Sequence, residues 1–579
     1  MNSPAAHLCA VHLEHVTYTY PLQDQPVLND LNLDIKPGEF VLIMGPTGEG
    51  KSTLALCLNG VIPHVLGGSL QGSIQVLGFN PSEKEIFEMA TKIGLVFQDA
   101  DSQICNIFVR DEVAFGAQNL LVPREIILER IKRVLHFVGL EAQEDMPVFN
   151  LSGGQKQRLA IASVLAMEPS VVVFDEPTAN LDPGGAKEVQ SLIRELKRNG
   201  ITILVIEHDV ENFIDLADRI VVLHEGRIVY QGPPRQIFQE HGMRIRDQIG
   251  LRIPAVVDFA LEAEKKGYSF DVFPLTIEEI PLDRLEFQVM KDQDRLSPYL
   301  TPPIGHEPII QVNHLYFHYP NGPTVLEDIS FEVRQGEILA IIGPNGSGKS
   351  TLTAHFVGLN RPVSGEVKVC GLDASNTPIK ELARKVGYVF QYPEHQFVAD
   401  TVFDEMCFGL KWQGLPAAEV EQRAMEMLKT FQLEEVKDRH PFALSRGQKR
   451  RLSVASMLVM RPEVFILDEP TTGQDLHNLE QLMNFIQGLN RQGLTIIMVT
   501  HDMGLVAQYA HSVLVLEDGR IAFHGTPWEL FAKELALEEK YNLTVPAIYT
   551  LYHRIKRRYP ELPVVHSPAD LASYLVPRG

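Results

Sequence analysis

Cysteine is scarce in the 579-residue sequence, and long hydrophobic runs are missing. The five cysteines are odd in number and form no Cys-x-x-Cys or Cys/His metal spacing, so we expect reduced thiols in a cytosolic protein. No segment approaches the roughly 18 apolar residues of a membrane-spanning helix. The first residues show no basic region leading into an apolar one, so we expect no signal peptide. If the protein serves a membrane process, another chain must cross the bilayer.

Positive charge is outnumbered by negative charge. The chain has 52 Lys and Arg residues against 74 Asp and Glu residues, a net charge of −22. This balance argues against a nucleic-acid-binding protein, whose binding surface would be basic. The hydrophobic content of 45% is ordinary for a globular protein, and the length predicts more than one domain.

Two glycine-rich segments match the phosphate-binding pattern Gly-x-x-x-x-Gly-Lys-Ser/Thr. One follows the apolar run 40–44 and the other follows 338–342, which is the strand–loop–helix context that this loop requires. Such a loop presents backbone N–H groups and the positive end of a helix dipole to phosphates. The candidate phosphate-binding residues are Gly45, Pro46, Thr47, Gly48, Glu49, Gly50, Lys51, Ser52 and Thr53, and then Gly343, Pro344, Asn345, Gly346, Ser347, Gly348, Lys349, Ser350 and Thr351.

The chain is an internal duplication. After the loops, motifs recur 293 residues apart, and apolar strands alternate with helical segments in both copies, which predicts an α/β fold with a mostly parallel sheet. Glu225-Gly226 and Asp518-Gly519 are expected to form hairpin turns. The recurring motifs are Gln98 and Gln391, Leu151–Gln155 and Leu444–Gln448, Asp175-Glu176 and Asp468-Glu469, and His208 and His501.

The residue types at these positions suit nucleotide triphosphate hydrolysis. The two loop lysines should reach the β- and γ-phosphates, and Ser52 and Ser350 suit Mg²⁺ coordination. Asp175 and Asp468 each end an apolar run and would supply the second magnesium anchor. The sequence therefore predicts one magnesium site in each copy.

The residues after these aspartates suit catalysis. Glu176 and Glu469 are placed to polarise an attacking water. His208 and His501 each follow another apolar strand and would contact the γ-phosphate. A buried structural carboxylate and a structural histidine are the alternatives, and the repetition at one offset favours the catalytic interpretation.

Together, these motifs and the segment Asn180-Leu181-Asp182 resemble the ATP-binding cassette (ABC) ATPases over nearly the whole chain. The resemblance implies two tandem P-loop ABC ATPase domains packed head to tail, each with a RecA-like core, an antiparallel β subdomain and a helical subdomain. It implies ATP and Mg²⁺ as ligands, and Gln98 and Gln391 as further metal contacts. Tyr20 and Tyr319 match the adenine-stacking aromatic of the family, with Tyr18 as an alternative.

The resemblance also implies two composite ATP sites per chain, each completed by the signature of the other cassette. The signature Leu444, Ser445, Arg446, Gly447 and Gln448 would complete the first site. Leu151, Ser152, Gly153, Gly154 and Gln155 would complete the second. Arg446 stands where the family usually has glycine, which lets backbone approach phosphate closely. Because both copies keep the glutamate and the histidine, we expect both sites to hydrolyse ATP.

The segments that follow each glutamine resemble the ATPases of energy-coupling-factor (ECF) importers. They are 98–104 with Glu112–Gly116, and 391–397 with Glu405–Gly409. This resemblance implies a vitamin, vitamin precursor or metal ion as cargo, a transmembrane coupling subunit, a small membrane substrate-capture subunit, no nucleic acid, and a peripheral location at the cytoplasmic face of the membrane. A tandem sugar-type importer ATPase and a non-transport ABC protein of the ribosome remain alternatives.

We expect the domain boundaries to lie outside these motifs. The first ATPase domain is placed at 1–245, a linker at 246–305, the second ATPase domain at 306–540 and a C-terminal tail at 541–574. The linker has seven basic and eleven acidic residues and is expected to be partly ordered, with helical pieces such as Val256–Leu261. The tail carries the basic patch His553–Arg558, which suits a solvated helix face or a binding site. Residues 575–579 look like a thrombin cleavage remnant of an expression vector.

Overall fold

The computed structural model describes residues 9–179, 181–288, 307–471, 476–532 and 543–578. They form two compact units. The first runs to Leu285 and takes in Pro577 and Arg578, and the second runs from Glu286 to Val576. Of the sequence-based predictions, Asn180, part of the linker and the first residues of the tail lie outside the described residues. Among the described residues, no helix is long and apolar enough to cross a membrane.

The first unit contains two sheets. A three-stranded antiparallel sheet has the order β2-β1-β4, and a six-stranded sheet has the order β5-β6-β7-β3-β8-β9. Only β9 is antiparallel in the larger sheet. The strands are β1 (Val11–Thr19), β2 (Leu28–Ile35), β3 (Phe40–Met44), β4 (Ser69–Val76), β5 (Ile93–Val96), β6 (Val171–Asp175), β7 (Thr202–Ile206), β8 (Arg219–His224) and β9 (Arg227–Gly232).

Helices of the first unit follow the strands in the alternation that the sequence predicts. They are α1 (Lys51–Leu58), α2 (Val61–His64), α3 (Ile86–Met89), α4 (Ala100–Gln103), α5 (Val109–Asn119), α6 (Arg124–Phe137), α7 (Gly153–Leu165), α8 (Pro183–Arg198), α9 (Pro234–Asp247) and α10 (Ala255–Lys265).

The second unit repeats this architecture. Its sheets have the orders β11-β10-β13-β14 and β15-β16-β17-β12-β18-β19. The strands are β10 (Pro308–His318), β11 (Thr324–Arg334), β12 (Ile338–Ile342), β13 (Ser364–Val369), β14 (Leu372–Asp373), β15 (Val386–Val389), β16 (Val464–Asp468), β17 (Thr495–Val499), β18 (Ser512–Glu517) and β19 (Arg520–Gly525). Its helices up to residue 531 are α11 (Lys349–Phe356), α12 (Ile379–Leu382), α13 (Val402–Gln413), α14 (Ala417–Thr430), α15 (Arg446–Leu458), α16 (Leu476–Asn490), α17 (Met503–Tyr509) and α18 (Pro527–Phe531), and the helices Ala547–Lys556 and Pro568–Ser573 follow in the tail.

The central strands are apolar throughout because both of their faces are covered. In β3, Phe40, Leu42 and Met44 join one core, whereas Val41 and Ile43 join the core on the opposite face. This arrangement is expected for a mostly parallel sheet with helices on its faces. The predicted α/β fold is confirmed. The parallel strands direct their carboxyl ends, with the polar residues that follow them, to one edge of the sheet.

The predicted hairpins are confirmed. His224 pairs with Arg227 across the β8–β9 turn, and Glu517 pairs with Arg520 across the β18–β19 turn. In the first turn, Glu225 has a φ of 51° and Gly226 a φ of 70°. In the second turn, Asp518 has a φ of 46° and Gly519 a φ of 74°. Two consecutive positive φ values are the geometry of the type I′ turn, which favours glycine at its second position.

Part of the segment between the cassettes is folded into the first unit. The predicted helical piece at Val256–Leu261 is confirmed as part of α10, and Val257, Leu261 and Phe273 lie in the core of that unit. Farther along, the peptide N–H of Val576 donates to the carbonyl of Glu286.

The basic patch of the tail lies on the helix Ala547–Lys556. The His553 ring stacks on Trp528, and the Lys556 ammonium lies 4.9 Å from the centre of the same indole ring. Ile555 is buried, and Arg557 is exposed. Part of this patch is therefore used in packing within the second unit.

Candidate nucleotide-binding sites

Each glycine-rich loop joins a central strand to a helix. The loops follow β3 and β12, and helices α1 and α11 begin at the loop lysines. Gly50 and Gly348 precede these helices with φ of 90° and 100°. A Cβ atom at Gly50 would lie 2.6 Å from Leu28 Cδ2 and 2.9 Å from the Val27 carbonyl oxygen. Glycine is required there because the backbone is left-handed and a side chain would collide with β2 and the residue before it.

The loop lysines have the same geometry in both units. Lys51 Nζ donates to the carbonyls of Gly45 at 2.7 Å and Pro46 at 2.8 Å. Lys349 Nζ donates to the carbonyls of Gly343 and Pro344 at the same two distances. Both ammonium groups are held against the loop backbone, where a cation can pair with phosphate oxygens.

Buried carboxylates lie beside the loop serines. Asp175 ends β6 and Asp468 ends β16, as the sequence predicts. Ser350 Oγ donates to Asp468 Oδ2 at 3.3 Å. Burial raises the pKa of both aspartates. A hydrogen bond from Ser52 partly offsets this rise in the pKa of Asp175.

The oxygens beside each loop fit Mg²⁺. Asp175 Oδ1 is buried and has no hydrogen-bond partner within the described part of the chain. Over those same ranges no cluster of three or more His, Cys, Asp or Glu side chains could hold a metal by itself. Mg²⁺ is usually bound by one or two protein oxygens together with substrate phosphates, so a serine and one aspartate suffice. When bound, the ion neutralises charge on the phosphates.

The predicted catalytic glutamates and histidines are in contact. His208 Nε2 lies 2.9 Å from Glu176 Oε1, and His501 Nε2 lies 2.8 Å from Glu469 Oε1. In the first unit, Gln98 Nε2 also donates to Glu176 Oε2 at 2.5 Å. The structure thus brings together side chains from the ends of neighbouring strands, as the sequence analysis expects.

The two glutamates share a strained backbone. Both have φ of 46°, which is uncommon for a residue with a long side chain. Their peptide N–H groups donate to the carbonyls of Ile206 and Val499, the last residues of β7 and β17. Strain held in place by sheet contacts is typical of functional positions.

Sequence comparison decides the family. The model of the ABC transporter family matches residues 28–179 and 326–472, which together exceed half of the chain. The chain belongs to the ABC transporter family. As an ABC ATPase it binds ATP with Mg²⁺ and hydrolyses it, and it is the ATP-binding component of a transporter.

Relatives from bacteria and archaea match this ABC ATPase over nearly its full length. An ABC transporter ATP-binding protein of Caldanaerobacter subterraneus, provisionally named, is 42% identical over 94% of this chain and 96% of its own. A similarly named protein of Methanosarcina acetivorans is 37% identical, with coverage of 98% and 94%. A Bacillus subtilis protein, provisionally named HMP/thiamine import ATP-binding protein YkoD, is 39% identical, with coverage of 93% and 95%.

The two ABC signatures begin helices α7 and α15 with identical caps. Ser152 Oγ accepts from the Gln155 N–H, while Gln155 Oε1 accepts from the Ser152 N–H. Ser445 and Gln448 form the same reciprocal pair. This capping box satisfies N–H groups at the start of each helix. The assignment of each signature to the ATP site of the opposite cassette stays a prediction.

Arg446 occupies a position that tolerates a side chain. At the equivalent Gly153, a Cβ atom would meet nothing within 4 Å in the first unit. The Arg446 side chain is exposed. Arginine at this position of the signature therefore needs no rearrangement of the backbone around it, and within its own cassette its charge helps to lower the pKa of Glu394.

The aromatic candidates differ in exposure. Tyr20 is half-buried with its hydroxyl 3.0 Å from Thr53 Oγ1, and Tyr319 is exposed with its hydroxyl 3.3 Å from Thr351 Oγ1. Both lie beside the residue that follows the phosphate loop. Tyr18 is fully buried, and its hydroxyl donates to the Gly67 carbonyl. Tyr18 therefore serves the core, and Tyr20 and Tyr319 remain the candidates for adenine stacking.

Arg450, which has no predicted role, links the signature helix α15 to the nucleotide site. Arg450 is 1% exposed, and its guanidinium donates to the carbonyls of Phe390 and Asp468. Burial lowers its pKa to about 10. The equivalent residue of the first unit is Gln157, and its amide nitrogen donates to the Phe97 carbonyl at 3.3 Å. The sequence carries no signal for this burial, because Arg450 lies in the polar run Gln448–Arg451.

Proposed function

We propose that this ABC ATPase powers an ECF-type importer of a vitamin, a vitamin precursor or a metal ion. It binds a transmembrane coupling subunit at the cytoplasmic face of the membrane, and a small membrane subunit captures the substrate. The observation that carries the proposal is a rigid loop with exposed apolar side chains, present beside the nucleotide site of each cassette.

A buried glutamate fixes this loop in each cassette. Glu112 Oε2 accepts from the peptide N–H groups of Cys105 at 3.0 Å and Asn106 at 2.9 Å. Glu405 Oε2 accepts from the N–H groups of Val398 at 2.8 Å and Ala399 at 2.9 Å. Both glutamates are 3% exposed. Two hydrogen bonds from loop N–H groups to one carboxyl oxygen hold the loop against the helix that follows it.

Apolar side chains project from these loops and from helices α5 and α13. We call them the docking faces: Ile107, Phe108 and Phe115 in the first cassette, and Val398, Phe408 and Trp412 in the second. Each of these six side chains is at least 41% exposed. Ordered apolar groups on a polar protein favour a partner that covers them.

A cavity of about 360 Å³ adjoins the end of α5 in the first cassette. Apolar groups line it together with Lys84, Lys92 and Glu88, and Glu88 Oε1 lies 3.1 Å from Lys84 Nζ. In the second cassette, the Lys380 ammonium lies 4.9 Å from the centre of the Trp412 ring, at the end of α13. The apolar floor suits the apolar face of a short amphipathic segment of a membrane protein, and Lys92 in the first cassette and Lys380 in the second offer cations to acidic residues of such a segment. The apolar lining residues are Phe79, Phe87, Met89 and Leu120, and Thr91 also lines the cavity.

Sequence similarity and charge agree with import. YkoD, named for HMP/thiamine import, is 39% identical over nearly the whole chain. The net charge of −22 does not favour a ribosomal partner, whose RNA would repel it.

Affinity capture from detergent-solubilised membranes of the native host tests the proposal. We expect the wild-type chain to capture a polytopic coupling subunit with a small membrane protein. The variant with Phe115→Asp and Phe408→Asp should lose both while it still binds ATP, and Leu22→Asp, at an exposed position elsewhere, should retain them. Capture of ribosomes, or of a permease without a substrate-capture subunit, would contradict the ECF assignment.

A further inference from the structure

The magnesium carboxylate of the second cassette receives a hydrogen bond that the family motifs do not include. The Tyr388 hydroxyl donates to Asp468 Oδ2 at 3.0 Å. The same oxygen accepts from Ser350 Oγ at 3.3 Å. Asp468 is 8% exposed, so both donors act on a carboxylate that little water reaches.

The tyrosine is itself held from two sides. It lies on β15, where it pairs with Ile466 of β16, two residues before Asp468. Its hydroxyl is 3.2 Å from Thr353 Oγ1, which is fully buried in α11. Thr353 Oγ1 also lies 3.1 Å from the Ser350 carbonyl oxygen. A chain of polar contacts thus connects the phosphate-loop helix, through Tyr388, to the strand that carries Asp468.

The first cassette has apolar side chains at the positions equivalent to Tyr388 and Thr353. Leu95 takes the place of Tyr388 and pairs with Val173 of β6 in the same register. Ala55 takes the place of Thr353, four residues after the loop lysine. Both side chains are buried in the apolar core. Neither side chain can donate a hydrogen bond to Asp175, whose Oδ1 atom has no hydrogen-bond partner within the described part of the chain.

We propose that Tyr388, supported by Thr353, is a positioning residue for the metal-binding carboxylate Asp468, and that the two cassettes therefore bind Mg²⁺ with different affinities. A donor that holds a ligating carboxylate fixes its orientation before the metal arrives, and such outer partners typically change metal affinity by about 10- to 100-fold. In the first cassette Leu95 offers no such donor, and the side chain of Ser52 hydrogen-bonds to Asp175.

Tyr388→Phe removes the hydroxyl and keeps the ring, so it tests the proposal with little disturbance of packing. The variant is made in a Lys51→Ala background, in which nucleotide binding reports on the second cassette. Mn²⁺ replaces Mg²⁺ as the probe, and its free concentration is measured by electron paramagnetic resonance at saturating ADP. We expect the dissociation constant for Mn²⁺ to rise about tenfold, whereas ADP affinity in EDTA stays unchanged.

The first cassette provides the control. In a Lys349→Ala background, Tyr388→Phe should leave the Mn²⁺ affinity of the remaining site unchanged. Thr353→Ala, which copies the first cassette, should weaken Mn²⁺ binding in the same direction as Tyr388→Phe. An unchanged Mn²⁺ affinity with a lowered melting temperature would overturn the proposal, because the hydroxyl would then serve folding alone. An equal loss of ADP affinity in EDTA would overturn it as well.

Discussion

Residues next to the predicted catalytic histidines differ between the cassettes. Glu207 precedes His208 and is 4% exposed, whereas Thr500 stands at the equivalent position of the second cassette. Thr178 Oγ1 donates to Glu207 Oε1 at 2.8 Å. Burial raises the pKa of Glu207 from 4.5 to about 8, and the hydrogen bond from Thr178 opposes only part of this rise. The folded first cassette therefore holds a proton here that the unfolded chain releases.

Glu207→Gln should change how stability depends on pH. Below pH 4.5 the wild-type residue is neutral in both states, and between pH 4.5 and about 8 only the unfolded state ionises, so wild-type stability falls as pH rises. Glutamine cannot ionise, and each unit of pKa shift is on the order of 1.4 kcal/mol. We expect the variant to gain melting temperature over wild type at pH 8 and little at pH 5.

The control for this measurement is Glu195→Gln, at an exposed glutamate of α8. It should follow the wild-type melting curve at both pH values. A Glu207→Gln variant that is less stable than wild type at pH 8 would show that the carboxylate is ionised in the fold.

At the scale of elements, the structure gives a packing role to the glutamate and the glycine of the motifs Glu112–Gly116 and Glu405–Gly409. In Glu112–Gly116 the glutamate points inward and fixes the loop, and Phe115 is exposed on the docking face. A Cβ atom at Gly116 would lie 2.7 Å from Met167 Sδ, so glycine allows α5 to pack closely on the segment that follows α7. A Cβ atom at the equivalent Gly409 would lie 2.5 Å from Met460 Sδ.

Glu405→Ala tests the role of the glutamate. Removal of the acceptor leaves two loop N–H groups without their partner, which typically costs about 1–3 kcal/mol for a buried group. We expect faster amide exchange at residues 398–399, weaker capture of the membrane partner and unchanged ATP binding. Glu419→Ala, on the neighbouring helix α14, is the matched control. Unchanged exchange in Glu405→Ala would show that the loop is fixed by other contacts.

The sequence predicts elements better than it predicts the contacts between them. The strand–loop–helix units and the hairpins follow from local patterns, and the predicted strand-end positions of Asp175 and Asp468 are confirmed. The burial of Arg450 could not be predicted, because its partners are carbonyls that only the folded sheet brings near. The same holds for Tyr388, whose hydroxyl meets a carboxylate 80 residues away. In each case a buried polar side chain is stabilised by partners that are distant in sequence.

At the scale of the whole molecule, one chain carries two complete sets of hydrolytic residues. Each unit has its own phosphate loop, strand-end aspartate, and glutamate–histidine pair at nearly identical distances. The differences lie around these groups, at Arg446, Arg450 and Tyr388 in the second unit. We therefore predict two ATP sites that both hydrolyse ATP within unequal surroundings.

Steady-state ATP turnover of Glu176→Gln, Glu469→Gln and the double variant tests this claim most directly. Amide in place of carboxylate keeps the shape of each site but removes the group that polarises water. We expect each single variant to retain no more than about half of wild-type turnover, and the double variant to fall about 10²- to 10⁴-fold. Wild-type turnover in either single variant would contradict the claim that both cassettes hydrolyse ATP.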